Sequence, residues 1–347
     1  MIPAHPLELS GGDGDEMARY QYQLPTDRIA QAPMEPRSAA RLLDATGGNL
    51  VDRRVADLAN LCAPGDIVVV NDSRVLPARL RLRRPTGGVI EFLLLEERLP
   101  GIWTALGNPS RNVAVDAEFF DSRGKRVLVV VERQEREGDA PVKFLVKLDD
   151  TAVVESLGEM PLPPYIKSPL LQPERYQTVY ANRPSSAAAP TAGLHLDQGV
   201  IDAMAASGAR ILRVELSVGL DTFMPIKTAR IADHAIHTES YHVSSEVWEE
   251  VSRAKRVLAI GTTVVRTLET VAATGELSGR SSLFIHGNYP FKIVDRLMTN
   301  FHIPRSSLLL LVDSFVGPRW KEIYQHALAG EYRFLSFGDA MLVDRRR

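Results

Sequence analysis

The chain has 347 residues, room for roughly two domains, and its apolar share of 45% permits a core of ordinary size, which sets intrinsic disorder aside. A net charge of −2 excludes a surface that attracts nucleic acid everywhere, so any polyanion must meet a local basic patch. One cysteine, Cys62, excludes an intramolecular disulfide framework, a cysteine-held iron–sulfur cluster and a multi-cysteine zinc finger.

Residues 1–18 read as a disordered lead-in without the basic and apolar regions of a signal peptide. The longest apolar run, 308–312, is too short to span a bilayer, and the expected location is cytoplasmic. Residues 52–62 place Val55, Leu58, Ala59 and Cys62 at helical spacing before Pro64-Gly65 breaks the pattern. A short β-branched strand follows at 67–70 and stops at Asn71-Asp72.

From Val75 to about Asp150 short β-like runs succeed one another at 78–83, 89–95, 102–106, 127–131 and 142–148. Turn formers separate them, among them Pro85-Thr86-Gly87-Gly88, Pro100-Gly101, Ser122-Arg123-Gly124 and Gly138-Asp139. This spacing predicts a small antiparallel barrel or sandwich. After Thr151 helices (151–157, 199–206, 244–254, 306–315, 321–328) alternate with strands (209–218, 257–260, 294–298, 340–343). The strand at 257–260 runs directly into a helix through Ala272. The expected fold class is mixed α/β. A discontinuous α/β domain (19–74 and 151–347) carries an inserted antiparallel β-barrel domain (75–150).

Within this frame five segments can carry chemistry. At Gly261-Thr262-Thr263, glycine permits a tight turn, a threonine can cap the helix, and the free N–H groups attract an anion that Arg266 can clamp; a plain capped connection explains the same residues. Asp233, His234, His237, Glu239 and His242 are a dense ionisable group. Its spacing is not that of a zinc hydrolase, and a solvated polar strand accounts for it locally, although His237 and Glu239 can share a face as an acid/base pair. Pro190-Thr191-Ala192-Gly193 is a turn of small residues that lets a ligand approach the backbone, or an ordinary loop, with His195 behind it. Phe301 can stack on a base and His302 can move a proton, or both are interior. Arg79, Arg81 and Arg83 alternate onto one strand face, as a phosphate track or a solvated face would. The tail Arg345–Arg347 is basic.

Taken together, the segments resemble the S-adenosylmethionine:tRNA ribosyltransferase-isomerase family of queuosine biosynthesis. The likeness runs from about Tyr22 to Val343. It rests on Ile29-Ala-Gln-Ala-Pro33, Glu35-Pro36-Arg37, Val70-Asn-Asp-Ser-Arg-Val-Leu-Pro-Ala-Arg79, Gly158-Glu-Met-Pro-Leu-Pro-Pro-Tyr-Ile166 and Arg175-Tyr-Gln-Thr-Val-Tyr180. Further along come Ala189-Pro-Thr-Ala-Gly-Leu-His195, His237-Thr-Glu239, Gly261-Thr-Thr-Val-Val-Arg-Thr-Leu-Glu269, Asp295-Arg-Leu-Met-Thr-Asn-Phe-His302 and Tyr332-Arg-Phe-Leu-Ser-Phe-Gly-Asp-Ala-Met-Leu342.

The resemblance implies an α/β domain with an inserted β-barrel. It also implies transfer of the ribosyl part of S-adenosylmethionine to the aminomethyl group of a 7-deazaguanine at the tRNA wobble position. The ribosyl part rearranges to an epoxycyclopentanediol as adenine and methionine leave. Proton transfers are then expected from His237 and Glu239, supported by His195 and His302, with Asp72, Arg74 and Asp339 orienting polar groups. Gly193, Gly261, Thr262, Thr263 and Arg266 are expected to hold S-adenosylmethionine. Arg79, Thr191, Tyr289, Asn300 and Phe301 complete the expected substrate contacts. No metal is required, and a monomer is expected. The chain departs from the family's usual residues at Gly287-Asn288, at Asp221 and over 107–112. These departures bear on the acceptor, so a small non-tRNA acceptor and a catalytically silent tRNA-binding protein stand as alternatives.

Overall fold

The computed structural model describes residues 15–134, 141–219 and 224–346. The chain forms two compact units: one comprises Arg74–Pro163 and Pro184–Ala188, and the other holds the remainder. In chain order the first strands are β1 (Arg41–Ala45), β2 (Val51–Arg54) and β3 (Ile67–Asn71), followed by β4 (Ser73–Val75). The smaller unit contributes β5 (Arg79–Arg83), β6 (Val89–Leu99), β7 (Ile102–Asn108), β8 (Glu118–Phe120), β9 (Arg126–Arg133), β10 (Lys143–Leu148) and α1 (Val153–Leu157). After β11 (Arg183–Ser186) come α2 (Gln198–Ala206), β12 (Arg210–Leu216), β13 (Glu239–His242), α3 (Ser245–Ser252), β14 (Val257–Ile260) and α4 (Thr262–Thr274). The chain ends with β15 (Ser278–Ser281), β16 (Arg296–Asn300), α5 (Ser307–Val316), α6 (Trp320–Ala329) and β17 (Ala340–Asp344).

The smaller unit contains a closed barrel in the order β10-β7-β6-β5-β8-β9. Alternation builds it: in β5, Leu80 and Leu82 are buried while Arg81 and Arg83 are exposed. Carboxylates share the arginine face of β5: Arg79 and Arg81 face Glu91 (both 3.7 Å), and Arg81 also faces Glu159 (3.6 Å). Because this unit runs on to Pro163, α1 belongs with the barrel, not with the α/β domain that the sequence reading began at 151.

The larger unit is built on a nine-stranded sheet in the order β15-β13-β12-β3-β14-β16-β17-β1-β2. Its centre is parallel: Ile67 of β3 lies opposite Arg210 of β12 on one side and Val257 of β14 on the other, and β16 runs parallel to β14. β3 and β14 are buried along their whole length, as strands covered on both faces must be, and both therefore read as unbroken apolar runs. Val68, Val70, Leu258, Ile260, Met298 and Leu342 from the sheet pack with Leu196, Val200 and Met204 in one core.

Several local expectations are corrected. Residues 52–62 are not an α-helix: β2 ends at Arg54 and a 3-10 helix covers Val55–Leu61. Residues 1–14 lie outside the described residues, as do the expected turn at Gly138-Asp139, the departure at Asp221 and Arg347 of the tail. The end of the lead-in is ordered. Asp15 accepts from Arg230 (2.7 Å), and Met17 is fully buried with its N–H on Ala229 O (2.9 Å). The tail is tied down too: Arg345 pairs with Asp295 (3.0 Å), and Arg346 donates to Asn288 Oδ1 (2.9 Å) and Gly287 O (3.0 Å).

Candidate active site

The chain leaves β3, returns as β12 on one side of it, and then crosses to β14 and β16 on the other. The connections therefore diverge at the carboxyl end of the β3–β14 pair, the position where open parallel sheets leave a crevice for ligands. A hollow is found in this part of the unit, lined by Ala189, Pro190, Thr191, Ala192, Val218, Gly261, Thr262, Thr263, Thr299, His302 and Leu308. A second hollow shares Thr191, His302 and Leu308 and adds Tyr165, Asn300, Phe301, Ile303, Ser306, Leu335 and Ser336.

Gly261 makes the turn from β14 into α4. Its φ of +97° and ψ of 153° fall where only glycine is relaxed. A Cβ placed there would stand 3.5 Å from Ala192 Cβ and 3.6 Å from Thr263 Oγ1, in the mouth of the first hollow. Gly261→Ala is expected to lower stability by about 1–3 kcal/mol through backbone strain alone, because the contacts are ordinary in length. Urea denaturation would check this, and an unchanged midpoint would contradict it.

α4 is buried from Thr262 to Val271, yet it carries Arg266 and Glu269. Arg266, 7% exposed, donates through Nη1 to Glu239 Oε2, and Glu239 Oε1 accepts from Gly219 N–H (3.0 Å). Both Glu239 oxygens are thus engaged, and the residue acts as a tether between β13 and α4. Among the described residues, Nε and Nη2 of Arg266 and Oγ1 of Thr263 are buried without a hydrogen-bond partner.

A second network joins the two hollows. Asn300 Nδ2 donates to Leu335 O (3.0 Å), while Asn300 Oδ1 accepts from Thr191 Oγ1 (3.0 Å). Because a carbonyl can only accept, the amide orientation is fixed, and His195 Nε2, 2.8 Å from Nδ2, must accept as well. The neutral His195 ring therefore carries its proton on Nδ1. Burial, with Arg333 and Arg37 adding repulsion, pushes its pKa down to about 3. Burial alone holds His302 down to about 3; its Nε2 lies 3.3 Å from Thr299 Oγ1 and its Nδ1 3.4 Å from Tyr324 Oη.

The sequence pattern of the queuosine biosynthesis protein family matches residues 17–343. The chain belongs to this family. It is 46% identical to the S-adenosylmethionine:tRNA ribosyltransferase-isomerase of Rubrobacter xylanophilus, over 93% of this chain and 96% of that one. It is 45% identical to the protein of the same name from Moorella thermoacetica, over 93% and 98%. A solved structure of S-adenosylmethionine tRNA ribosyltransferase from Thermotoga maritima is similar with a TM-score of 0.53 at 32% identity, covering 93% of this chain and 99% of that one.

Among the residues expected from the family resemblance, Thr191, Gly261, Thr262, Thr263, Asn300, Phe301 and His302 line the hollows. Others are placed differently. Gly193 lies against Tyr180, whose Oη a Cβ would overlap, a packing demand of the protein itself. Phe301 borders the second hollow, but its ring is fully buried among Tyr324, Tyr332 and Phe334. Asp339 accepts the backbone N–H groups of Arg41 (2.9 Å) and Arg333 (2.8 Å), so it anchors the loop that presents Leu335 and Ser336. His237 is half-buried in the segment before β13 and not on the strand with Glu239. No group of three or more potential metal ligands forms around it among the described residues.

Asp72, just past β3, is 6% exposed, and burial raises its pKa against the opposing pull of Arg183. Tyr289 is half-buried, with its pKa pushed up to about 12 by burial and by Glu269, and it packs edge-on to Phe291. Arg74 and Arg79 belong to the smaller unit. Tyr165 and Ser336, whose hydroxyls are 2.7 Å apart, are among the lining residues not singled out from sequence. Both fall inside strings that carry the resemblance, but nothing local marks a pair 171 residues apart.

Proposed function

We propose that this protein transfers the ribosyl group of S-adenosylmethionine to the 7-aminomethyl-7-deazaguanine base of tRNA and isomerises it, giving epoxyqueuosine in the tRNA with release of adenine and methionine. The observation that carries this reading is the end-to-end match to relatives of that name, 93% of this chain against 96% and 98% of theirs. The hydroxyl-lined crevice at the divergence of the parallel strands supports it, because that is where an α/β sheet accepts a small polar donor.

The acceptor ammonium must lose a proton before it can attack, and departing adenine gains from a proton donor. Asp72 suits the first task. It is a buried carboxyl whose pKa burial raises, whereas the carboxylates of Glu239 and Asp339 are held by hydrogen bonds from other residues. His237 is the histidine proposed to exchange protons. His195 and His302 are held neutral and instead position groups, His195 offering the Nδ1–H that Asn300 imposes. No step calls for a metal. The substrate places the enzyme in the cytoplasm, and it is proposed to act as a monomer; no helix among the described residues is long and apolar enough to cross a membrane.

The test is incubation with S-adenosylmethionine, with and without tRNA carrying the aminomethyl base, read by mass spectrometry. Adenine and methionine release that requires that tRNA, with the matching mass gain on the RNA, is the expected result. Release that is indifferent to the tRNA, or none at all, would overturn the reading.

A further inference from the structure

We infer that the start of α4 is a carboxylate subsite and that it takes the methionyl carboxylate of S-adenosylmethionine, an assignment that rests on the donor proposed above. Three features converge there. The first is the helix start: α4 has 13 residues, no side chain caps its first turn, and Gly261, Thr262 and Thr263 line the hollow. Its leading N–H groups and the helix dipole favour an anion.

The second is Thr263. The residue is 8% exposed, and its Oγ1 is buried without a partner, close to where a Cβ on Gly261 would stand. The hydroxyl therefore faces back toward the turn, where it can donate to a group seated on the helix start.

The third is the buried, unpartnered edge of Arg266. Arg266 follows Thr262 and Thr263 by four and three residues, so it stands on the same face of α4, one turn on from the helix start. Glu239 holds Nη1 only. Nε and Nη2, both unpartnered among the described residues, form the guanidinium edge whose two parallel N–H groups fit the two oxygens of a carboxylate. Unmet donors on a buried cation are unfavourable, and a second carboxylate would complete the guanidinium that the first leaves half-satisfied. Glu239 already balances the charge of Arg266, which suits a singly charged planar anion better than a phosphate. S-adenosylmethionine has one anionic group, its carboxylate.

The experiment is calorimetric titration of the full chain with S-adenosylmethionine and with decarboxylated S-adenosylmethionine, for the wild type, Thr263→Val and Arg266→Lys. Wild type is expected to bind the decarboxylated compound roughly 30-fold or more weakly. Thr263→Val is expected to weaken S-adenosylmethionine about tenfold and leave the decarboxylated compound unchanged. Its unliganded Tm should stay level or rise, because the substitution removes a buried unmet hydroxyl; a merely structural role would lower it. Arg266→Lys keeps the charge opposite Glu239 but loses the paired edge, and should likewise narrow the gap between the two compounds. Equal wild-type affinity for both compounds, or equal weakening of both by Thr263→Val, would overturn the subsite while tRNA-dependent turnover still upheld the proposed reaction. Failure of wild type to bind S-adenosylmethionine would overturn both.

Discussion

Glu269→Gln is expected to lower the stability of this protein by about 3 kcal/mol. Glu269 is fully buried in the middle of α4. Its Oε2 accepts from Lys292 N–H (2.9 Å), and its Oε1 accepts from Ile293 N–H (3.0 Å) and Val294 N–H (3.1 Å). Three consecutive backbone donors, which lead into β16, thus have their partner on a helix and not in the sheet. Glutamine matches the shape but replaces one accepting oxygen with an NH₂ group. That group would point its hydrogens at the very amides that need an acceptor, leaving at least one of them unmet and removing the charge from the other bonds. A buried donor without a partner costs about 1–3 kcal/mol, and each charge-assisted bond loses more than a neutral one. Urea denaturation at neutral pH reads the difference directly. A loss under about 1 kcal/mol would mean that the loop re-pairs elsewhere. Because Glu269 and Arg266 share α4, the same variant should also weaken S-adenosylmethionine binding at the helix start.

The parts of the fold legible in sequence are those decided locally. β3 and β14 show as apolar runs because both faces are covered, and β5 shows because its leucines and arginines alternate. β1 was not anticipated. Arg41 and Asp44 break its apolar pattern, and only the structure shows that Asp44 is satisfied by Thr46 (2.6 Å) and Arg53 (2.8 Å) while the strand pairs with distant β17. β15 is a polar strand at the sheet edge and β8 has only three residues, so neither leaves a pattern, while β13, read as a polar strand, buries Glu239 and Tyr241 in alternation. The same division holds in the site. The Gly261-Thr262-Thr263 turn is readable because strand, glycine and helix are contiguous. The bond between His195 and Asn300 spans 105 residues and depends on the sheet having assembled. The pairing of Glu239 with Arg266 is of this kind too, because it joins β13 to α4 across 27 residues.

Lowering the pH from 7.5 to 5.5 is expected to cost about 3 kcal/mol of stability, chiefly through His195 and His302. Each has a folded pKa of about 3, well below the ordinary value of 6.5. The unfolded chain therefore binds more protons than the folded one between these limits. The stability that comes from keeping both rings neutral is complete above pH 6.5 and is lost as pH falls toward 3. One unit below 6.5, each ring has lost about 1.4 kcal/mol. His234, its pKa lowered by partial burial and by His237, adds in the same direction. Asp72 opposes it, because its raised pKa makes the folded state the better proton acceptor, but over a lower range of pH. Most carboxylates titrate near pH 4, so at 5.5 the histidines dominate. Urea unfolding at the two pH values would measure the loss, and repeating it with His302→Gln should roughly halve the pH-dependent part whatever that variant's stability at pH 7.5. A flat profile would mean that one ring or both gain a proton without unfolding, which would return His195 and His302 to the set of groups able to move protons during the reaction.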